Sequence, residues 1–172
     1  SQGLSISTPL NIEYQTQALK SLRKGIEDYD RRRGWRGPIT NKINNKNWEN
    51  TVTKFKIDPT LVWNLAEVVS LDNNKIQFKI IDKNKKNIAG EIFLEDIKWT
   101  LGAKKLLAEV HKIGDIFFIK KEKNNWRIKQ YPKVNGGIVV IEPFNGNVLA
   151  LVGGFNFKKS EFNRVTQAKR QP

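Results

Sequence analysis

Two apolar runs near the end of the chain, Ile138–Ile141 and Val148–Val152, constrain its fold more than any other feature. They flank Asn145-Gly146, a dipeptide suited to the tight turn of a β-hairpin. The apolar residues are consecutive and do not alternate, the pattern of strands buried on both faces. Such a hairpin needs two covering layers. One candidate cover precedes it: Ile12, Leu19, Leu22, Ile26 and Tyr29 recur at helical spacing. Thr8-Pro9 reads as an N-cap followed by Pro at the first helical position, and Gly34 reads as the stop. Glu13 near the start and Arg31, Arg32 and Arg33 at the end suit the helix macrodipole. The spacing predicts one long helix from Pro9 to Arg33. That helix can cover one face of the hairpin. Nothing else in the chain is available for the second face, so the chain is expected to be a piece of a larger domain.

Between these elements the signals are mostly β. Leu4 to Ser7 alternates and predicts a short strand. Residues 39–57 are rich in Asn and Lys, with Trp48, Val52 and Phe55 as anchors for a short helix. Strands are expected over Leu61–Leu71, Lys75–Ile80, Ile88–Phe93, Ile116–Lys120 and Trp126–Gln130. Asp72-Asn73-Asn74, the segment Asp82 to Asn87, and Asn124-Asn125 supply turns. Leu94 to Trp99 predicts a helical turn, and Leu101 to Val110 reads equally as helix or extended connection. The fold class expected is α+β, mainly β with one long helix. Five short strands with a helical turn before the fourth fit a five-stranded OB-like barrel, and an SH3-like barrel would read similarly.

The chain has 172 residues and no apolar run long enough to span a bilayer or serve as a signal peptide. It lacks Met, so Ser1-Gln2-Gly3 reads as a cut end. It lacks Cys, which removes disulfides and thiolate metal sites. The net charge of +14 suits a polyanion partner or a compositional bias. Lys, Asn and Ile are all abundant and most lysines are scattered singly, which favours the bias.

Three stretches carry a family resemblance. The first is Tyr29-Asp30-Arg31-Arg32-Arg33-Gly34-Trp35-Arg36-Gly37-Pro38. The second comprises Leu94-Glu95-Asp96-Ile97-Lys98-Trp99, then Gly114-Asp115-Ile116-Phe117-Phe118, then Trp126 through Gln130, Pro132, Val134 and Gly136. The third runs from Ile138 through Gly153-Gly154 to Arg170-Gln171-Pro172. In this order they resemble class A penicillin-binding proteins, the bifunctional enzymes that build peptidoglycan. The resemblance implies a linker strand and helix over 1–37 and an OB-like insert over 38–135. It implies the first hairpin of a transpeptidase domain over 136–172. In that family a Ser-x-x-Lys follows the Arg-Gln-Pro, which here ends the chain. The fragment is therefore expected to be non-catalytic, with regulatory and spacing roles. The parent implied is a glycosyltransferase and serine-type DD-transpeptidase, a beta-lactam target. It would sit on the periplasmic side of the inner membrane through an anchor outside this chain. Partners implied for the OB-like region are cell-wall synthesis or activator proteins and glycan strands, with no specific nucleic acid.

The residues support that absence of chemistry. Neither Ser-x-x-Lys, Ser-Asp-Asn nor Lys-Thr-Gly occurs. Ser160 lacks a lysine three residues on, and Thr166 with Lys169 imitates the motif only superficially. His111 is the one histidine and is expected at the surface or an edge; one His without Cys argues against a transition-metal site. Asp28, Asp30, Glu95 and Asp96 could form carboxylate pairs, but Asp30 beside three arginines is expected in an ion pair. Gly153-Gly154 follows a strand without the rest of a phosphate loop. No catalytic residue, metal or cofactor site is expected. Trp48, Trp63, Trp99, Trp126, Phe78, Phe117 and Phe118 read as barrel filling. The alternative is a platform for single-stranded nucleic acid, with one of Phe117 and Phe118 turned outward.

Overall fold

The structure is a computed structural model describing residues 9–81 and 88–156. The strand expected at Leu4–Ser7, the turn from Asp82 to Asn87 and the Ser160 to Pro172 stretch lie outside the described residues. The chain divides into two compact units, one formed by residues 9–29 and 132–156, the other by residues 30–131.

In the first unit, helix α1 begins at Ile12 and runs to Arg32. It starts later than Thr8-Pro9 suggests because Asn11 is the cap. The Asn11 side-chain oxygen accepts from the backbone N–H of Glu13 at 2.9 Å and of Tyr14 at 3.2 Å. The Asn11 N–H is itself held by the Leu149 carbonyl at 2.9 Å, which fixes where the chain can turn helical. Gly34 takes φ +93°, a left-handed value that closes the helix and that glycine adopts without strain. The buried stripe of α1 is narrower than its apolar pattern. Ala18 and Ile26 are buried, but Ile12 is 86% exposed.

This stripe packs on the antiparallel hairpin β7 (Ile138–Ile141) and β8 (Val148–Val152). Ala18, Leu19 and Leu22 meet Ile138, Val140, Ala150 and Val152. Gln15 reaches from α1 to the edge of β8 and satisfies both backbone groups of Leu151. Its amide donates to the Leu151 carbonyl at 2.8 Å and accepts from the Leu151 N–H at 2.9 Å. On the opposite side Val139 and Ile141 are exposed, and Phe144 at the turn is 96% exposed. The hairpin forms where expected, but among the described residues only one of its faces is covered.

The second unit holds β1 (Thr40–Asn41), α2 (Trp48–Thr53), β2 (Asn64–Leu71), β3 (Lys75–Ile80), β4 (Ala89–Phe93), α3 (Leu94–Ile97), β5 (Asp115–Glu122) and β6 (Asn125–Lys129). The sheet order is β1-β5-β2-β3-β4, with β6 also on β5, and every pairing is antiparallel. The alternation of β3 is realised directly: Ile76, Phe78 and Ile80 point into the core. Ala66, Val68, Ile92, Ile97, Leu107, Phe117, Ile119 and Ile128 complete that core. Strand β2 starts at Asn64, later than Leu61, because residues 59–61 form a 3-10 turn capped by Asp58. Val62 then takes a left-handed φ of 54°.

A closed five-stranded sheet is not what forms. The sheet has six strands, and no ladder joins β4 to β6 among the described residues. Side chains occupy that seam. A Cβ at Gly90 on β4 would stand 2.8 Å from the Phe78 ring and 3.2 Å from the Trp126 indole nitrogen. Trp126 on β6 meets Phe78 edge-on at 5.4 Å between ring centres. Glycine at this position lets an aromatic wedge stand over the strand. The ambiguous stretch 101–110 is an irregular connection with a turn at residues 102–103 and one 3-10 turn at residues 107–109.

Candidate functional site

Residues of the first two family-like stretches meet in one cluster in the second unit. Asp30, at the end of α1, is 2% exposed. The Arg36 guanidinium grips it with two parallel bonds, Nη1 to Oδ1 and Nη2 to Oδ2, both 2.9 Å. A planar fork on a carboxylate is the strong form of this pairing. The same guanidinium donates to the Tyr131 carbonyl at 2.8 Å. Gln130 completes the cluster. Its amide donates to Asp30 Oδ2 at 2.8 Å and to the Gly34 carbonyl at 3.1 Å, and its oxygen accepts from the Arg36 N–H at 2.8 Å. These bonds tie the incoming chain, 30–36, to the outgoing chain, 130–131. Asp30 is an ion-pair member as expected, but its partner is Arg36. Arg31 instead lies over the Trp99 ring at 4.9 Å.

Beneath this clamp lies an aromatic cluster around His111. His111 is 1% exposed, which overturns its expected surface position. Its ring lies 5.9 Å from Trp35 and 6.2 Å from Phe117, centre to centre. Trp35 in turn meets Trp99 edge-on at 5.5 Å. The Thr100 hydroxyl and His111 Nε2 are 2.7 Å apart, and Nδ1 has no partner. Burial pushes the imidazole pKa down to about 4, with Asp115 opposing weakly. A neutral, enclosed ring touching only Thr100 and aromatic neighbours is a packing element. Thr100 is only 4% exposed, so the hydroxyl beside the ring is enclosed with it.

Asp96, Asp115 and Asp28 are engaged in structure, whereas the Glu95 side chain is exposed. Asp96 is 7% exposed and accepts from Arg127 at 3.0 Å and Asn125 at 3.1 Å. Asp115 accepts from the Asn41 amide at 2.8 Å and the Lys112 N–H at 2.8 Å. Asp28 pairs with Lys24 one helical turn before it at 2.6 Å. No group of three or more metal-ligating side chains occurs among the described residues.

The aromatics mostly fill space. Phe78 and Phe117 are fully buried in the core. Phe118 points to the other side of β5, yet it is 4% exposed, so it is buried filling and not the outward platform of the alternative reading. Phe55 and Trp63 cover it at 5.8 and 5.7 Å, and Tyr131 meets Phe55 edge-on at 6.0 Å. Sequence spacing does not reveal this outer cluster, because Phe55 lies in a stretch without periodicity. Arg36 and Gln130 were visible only as letters of two motifs about ninety residues apart, and their shared carboxylate is a tertiary fact.

An antiparallel, OB-like sheet whose incoming and outgoing chains are clamped together defines the class of the second unit: an inserted β module. Residues 35–134 match the penicillin-binding protein OB-like domain, and the chain belongs to that family. Over 171 residues it is 40% identical to penicillin-binding protein 1A of Rickettsia felis, covering 99% of this chain and 21% of that protein. Over 183 residues it is 31% identical to penicillin-binding protein 1A of Escherichia coli K12, covering 98% of this chain and 21% of that protein. The crystal structure of penicillin-binding protein 1A from Haemophilus influenzae superposes with a TM-score of 0.67. That likeness is at 26% identity over 93% of this chain and 23% of that one. The chain thus spans about a fifth of the length of the curated relatives it matches.

Proposed function

We propose that this chain is a non-catalytic spacer and docking region of a bifunctional peptidoglycan synthase acting in cell-wall biosynthesis. The parent joins a glycosyltransferase to a serine-type DD-transpeptidase that beta-lactams acylate. Residues 1–37 are its linker strand and helix. Residues 38–135 are an OB-like insert, its β4–β6 seam filled by the Phe78 and Trp126 side chains. Residues 136–172 begin the transpeptidase domain. The parent lies on the periplasmic side of the inner membrane, held by an anchor outside this chain; no helix among the described residues is long and apolar enough to cross a membrane. The OB-like unit receives cell-wall synthesis or activator proteins and glycan strands.

The clamp carries this reading. A module inserted between two domains needs its two connections side by side, and Asp30, Arg36 and Gln130 hold them there. The burial of Phe78, Phe117 and Phe118 weighs against a stacking platform for nucleic acid.

Two measurements test it. Fluorescent penicillin is expected to leave this chain unlabelled; covalent labelling would place a nucleophile within it and overturn the non-catalytic reading. Filter binding to single-stranded oligonucleotides is expected to be weak, sequence-blind and lost near physiological salt, as for scattered charge. Tight binding that survives physiological salt would favour a nucleic-acid function.

A further inference from the structure

Small OB-type sheets bind oligonucleotides or oligosaccharides beside the turns that join their first two and last two strands. In this chain those turns are residues 72–74, between β2 and β3, and residues 122–125, between β5 and β6. A pocket of about 390 Å³ opens where they meet, lined by Asn74, Phe93, Leu94, Glu95, Asp96 and Asn125. None of the clamp residues lines it, and of its lining only Leu94 packs against the core.

The lining has three properties together. Phe93 is a large apolar ring left 54% exposed at the end of β4, while most aromatic residues of this unit are packed. The side chains of Asn74 and Glu95 are exposed and make no hydrogen bond or ion pair. The inner wall is rigid: Asp96 is fixed by Arg127 and Asn125, and the Leu94 N–H is held by the Asn74 carbonyl at 2.7 Å. An exposed ring offers a flat apolar surface. The free amide donates and accepts, and the free carboxylate accepts. That combination suits a polymer with apolar C–H faces and many hydroxyl or amide hydrogens.

Charge selects between the two polymers. Residues 30–131 hold 22 Lys and Arg against 12 Asp and Glu, a positive balance. Yet this pocket presents two carboxylates, one of them unpaired. Phosphates are repelled here and hydroxyls are not.

We infer that the pocket formed by Asn74, Phe93 and Glu95 is a saccharide subsite, taking one uncharged hexosamine unit of a glycan strand across the Phe93 ring. The inference rests on the glycan-docking reading above and locates it. Phe93 supplies stacking area, Asn74 donates to a ring-substituent oxygen, and Glu95 accepts from a hydroxyl or acetamido N–H.

The test is a titration of the isotope-labelled 172-residue chain with chitotetraose, followed by amide chemical shifts, with a single-stranded oligonucleotide titrated in parallel. Shifts are expected at Asn74, residues 93–96 and Asn125. Phe93→Ala should weaken binding about tenfold, and Asn74→Ala or Glu95→Gln about threefold each. All three residues are exposed, so the variants should keep the wild-type spectrum elsewhere. Shifts confined to other residues would overturn this subsite while leaving glycan docking intact. No shifts at about 10 mM chitotetraose would overturn the subsite and the glycan arm of the docking reading together. Tighter binding of the oligonucleotide at the same residues would also overturn it. The penicillin-labelling result judges the spacer reading independently of all three outcomes.

Discussion

The two units of this chain solve the same problem differently. The second encloses its apolar surface within itself, with Ile76, Phe78, Ile92 and Phe117 all fully buried. The first covers one face of its hairpin and leaves Val139, Ile141 and Phe144 exposed. An open groove of about 510 Å³ also runs beside α1, lined by Leu22, Gly25, Ile26, Tyr29, Val134 and Ile138 among others. Strand β3 alternates and β7 does not. Alternation marks a sheet that is finished with one core face, and continuous apolar residues mark one that expects a second layer. Among the described residues, a sheet that encloses its own core and a hairpin covered on one face coexist in one chain, and strand patterning distinguishes them.

The comparison can be broken by truncation. All five tryptophans lie within residues 30–131, so their fluorescence reports on the second unit, whereas far-ultraviolet ellipticity is weighted toward α1. Phe78→Ala should cost about 4 kcal/mol in urea unfolding followed by tryptophan emission. Ile141→Ala should cost less than about 0.5 kcal/mol in urea unfolding followed by ellipticity at 222 nm, since that side chain is 55% exposed. Equal costs would mean the hairpin is covered as completely as the barrel-like sheet.

Next in size is the clamp. Asp30→Ala leaves the Arg36 guanidinium without its carboxylate and should cost about 3 kcal/mol by the same measurement. Lys24→Ala, which removes an exposed pair with Asp28, should cost under about 0.5 kcal/mol. A loss for Asp30→Ala no larger than for Lys24→Ala would show that the clamp is decorative.

A pH titration sharpens the picture of the second unit. The folded pKa of His111 is lowered from 6.5 to about 4, so the unfolded chain takes up the proton first. Stability is therefore full above about pH 6.5, falls as pH drops toward 4, and levels below that; the loss is about 3 kcal/mol. Glu91, Glu109 and Glu122 also have lowered pKa values, and their contributions fade only below their ordinary value of 4.5. The slope between about pH 4.5 and 6.5 should thus belong to His111 and vanish in His111→Phe, read by urea midpoints at each pH. A wild-type slope unchanged in the variant would reassign it.

The smallest effect concerns the first unit. Asn11→Ala removes two cap bonds and should cost about 1 kcal/mol, seen in ellipticity at 222 nm and not in tryptophan emission. If tryptophan emission shifts equally, the two units unfold as one.

Much of this was legible beforehand. Lys75–Ile80, Ile138–Ile141 and Val148–Val152 form strands where their patterns place them. Gly34 ends the helix because only its missing Cβ makes φ +93° easy there. The helix start was misplaced because Thr8-Pro9 and Asn11 are both sound cap signals, and a bond from Leu149 chooses between them. The candidate site was less legible. Glu95 and Asp96 were read as a possible pair, yet Arg127 and Asn125 bind one and leave the other free. Phe93 was read as the end of a strand, and nothing local says that no neighbour covers it.

By itself, then, the sequence determined the periodic elements, their turns and the family, because these follow from short-range spacing and from motifs read as strings. The tertiary structure alone decided three things: that His111 is enclosed, that Phe118 is covered, and that Asp30, Arg36 and Gln130 share one set of bonds. Each depends on groups far apart in the chain. Burial and hydrogen-bond partners are properties of three-dimensional neighbours, and no local pattern encodes who those neighbours are.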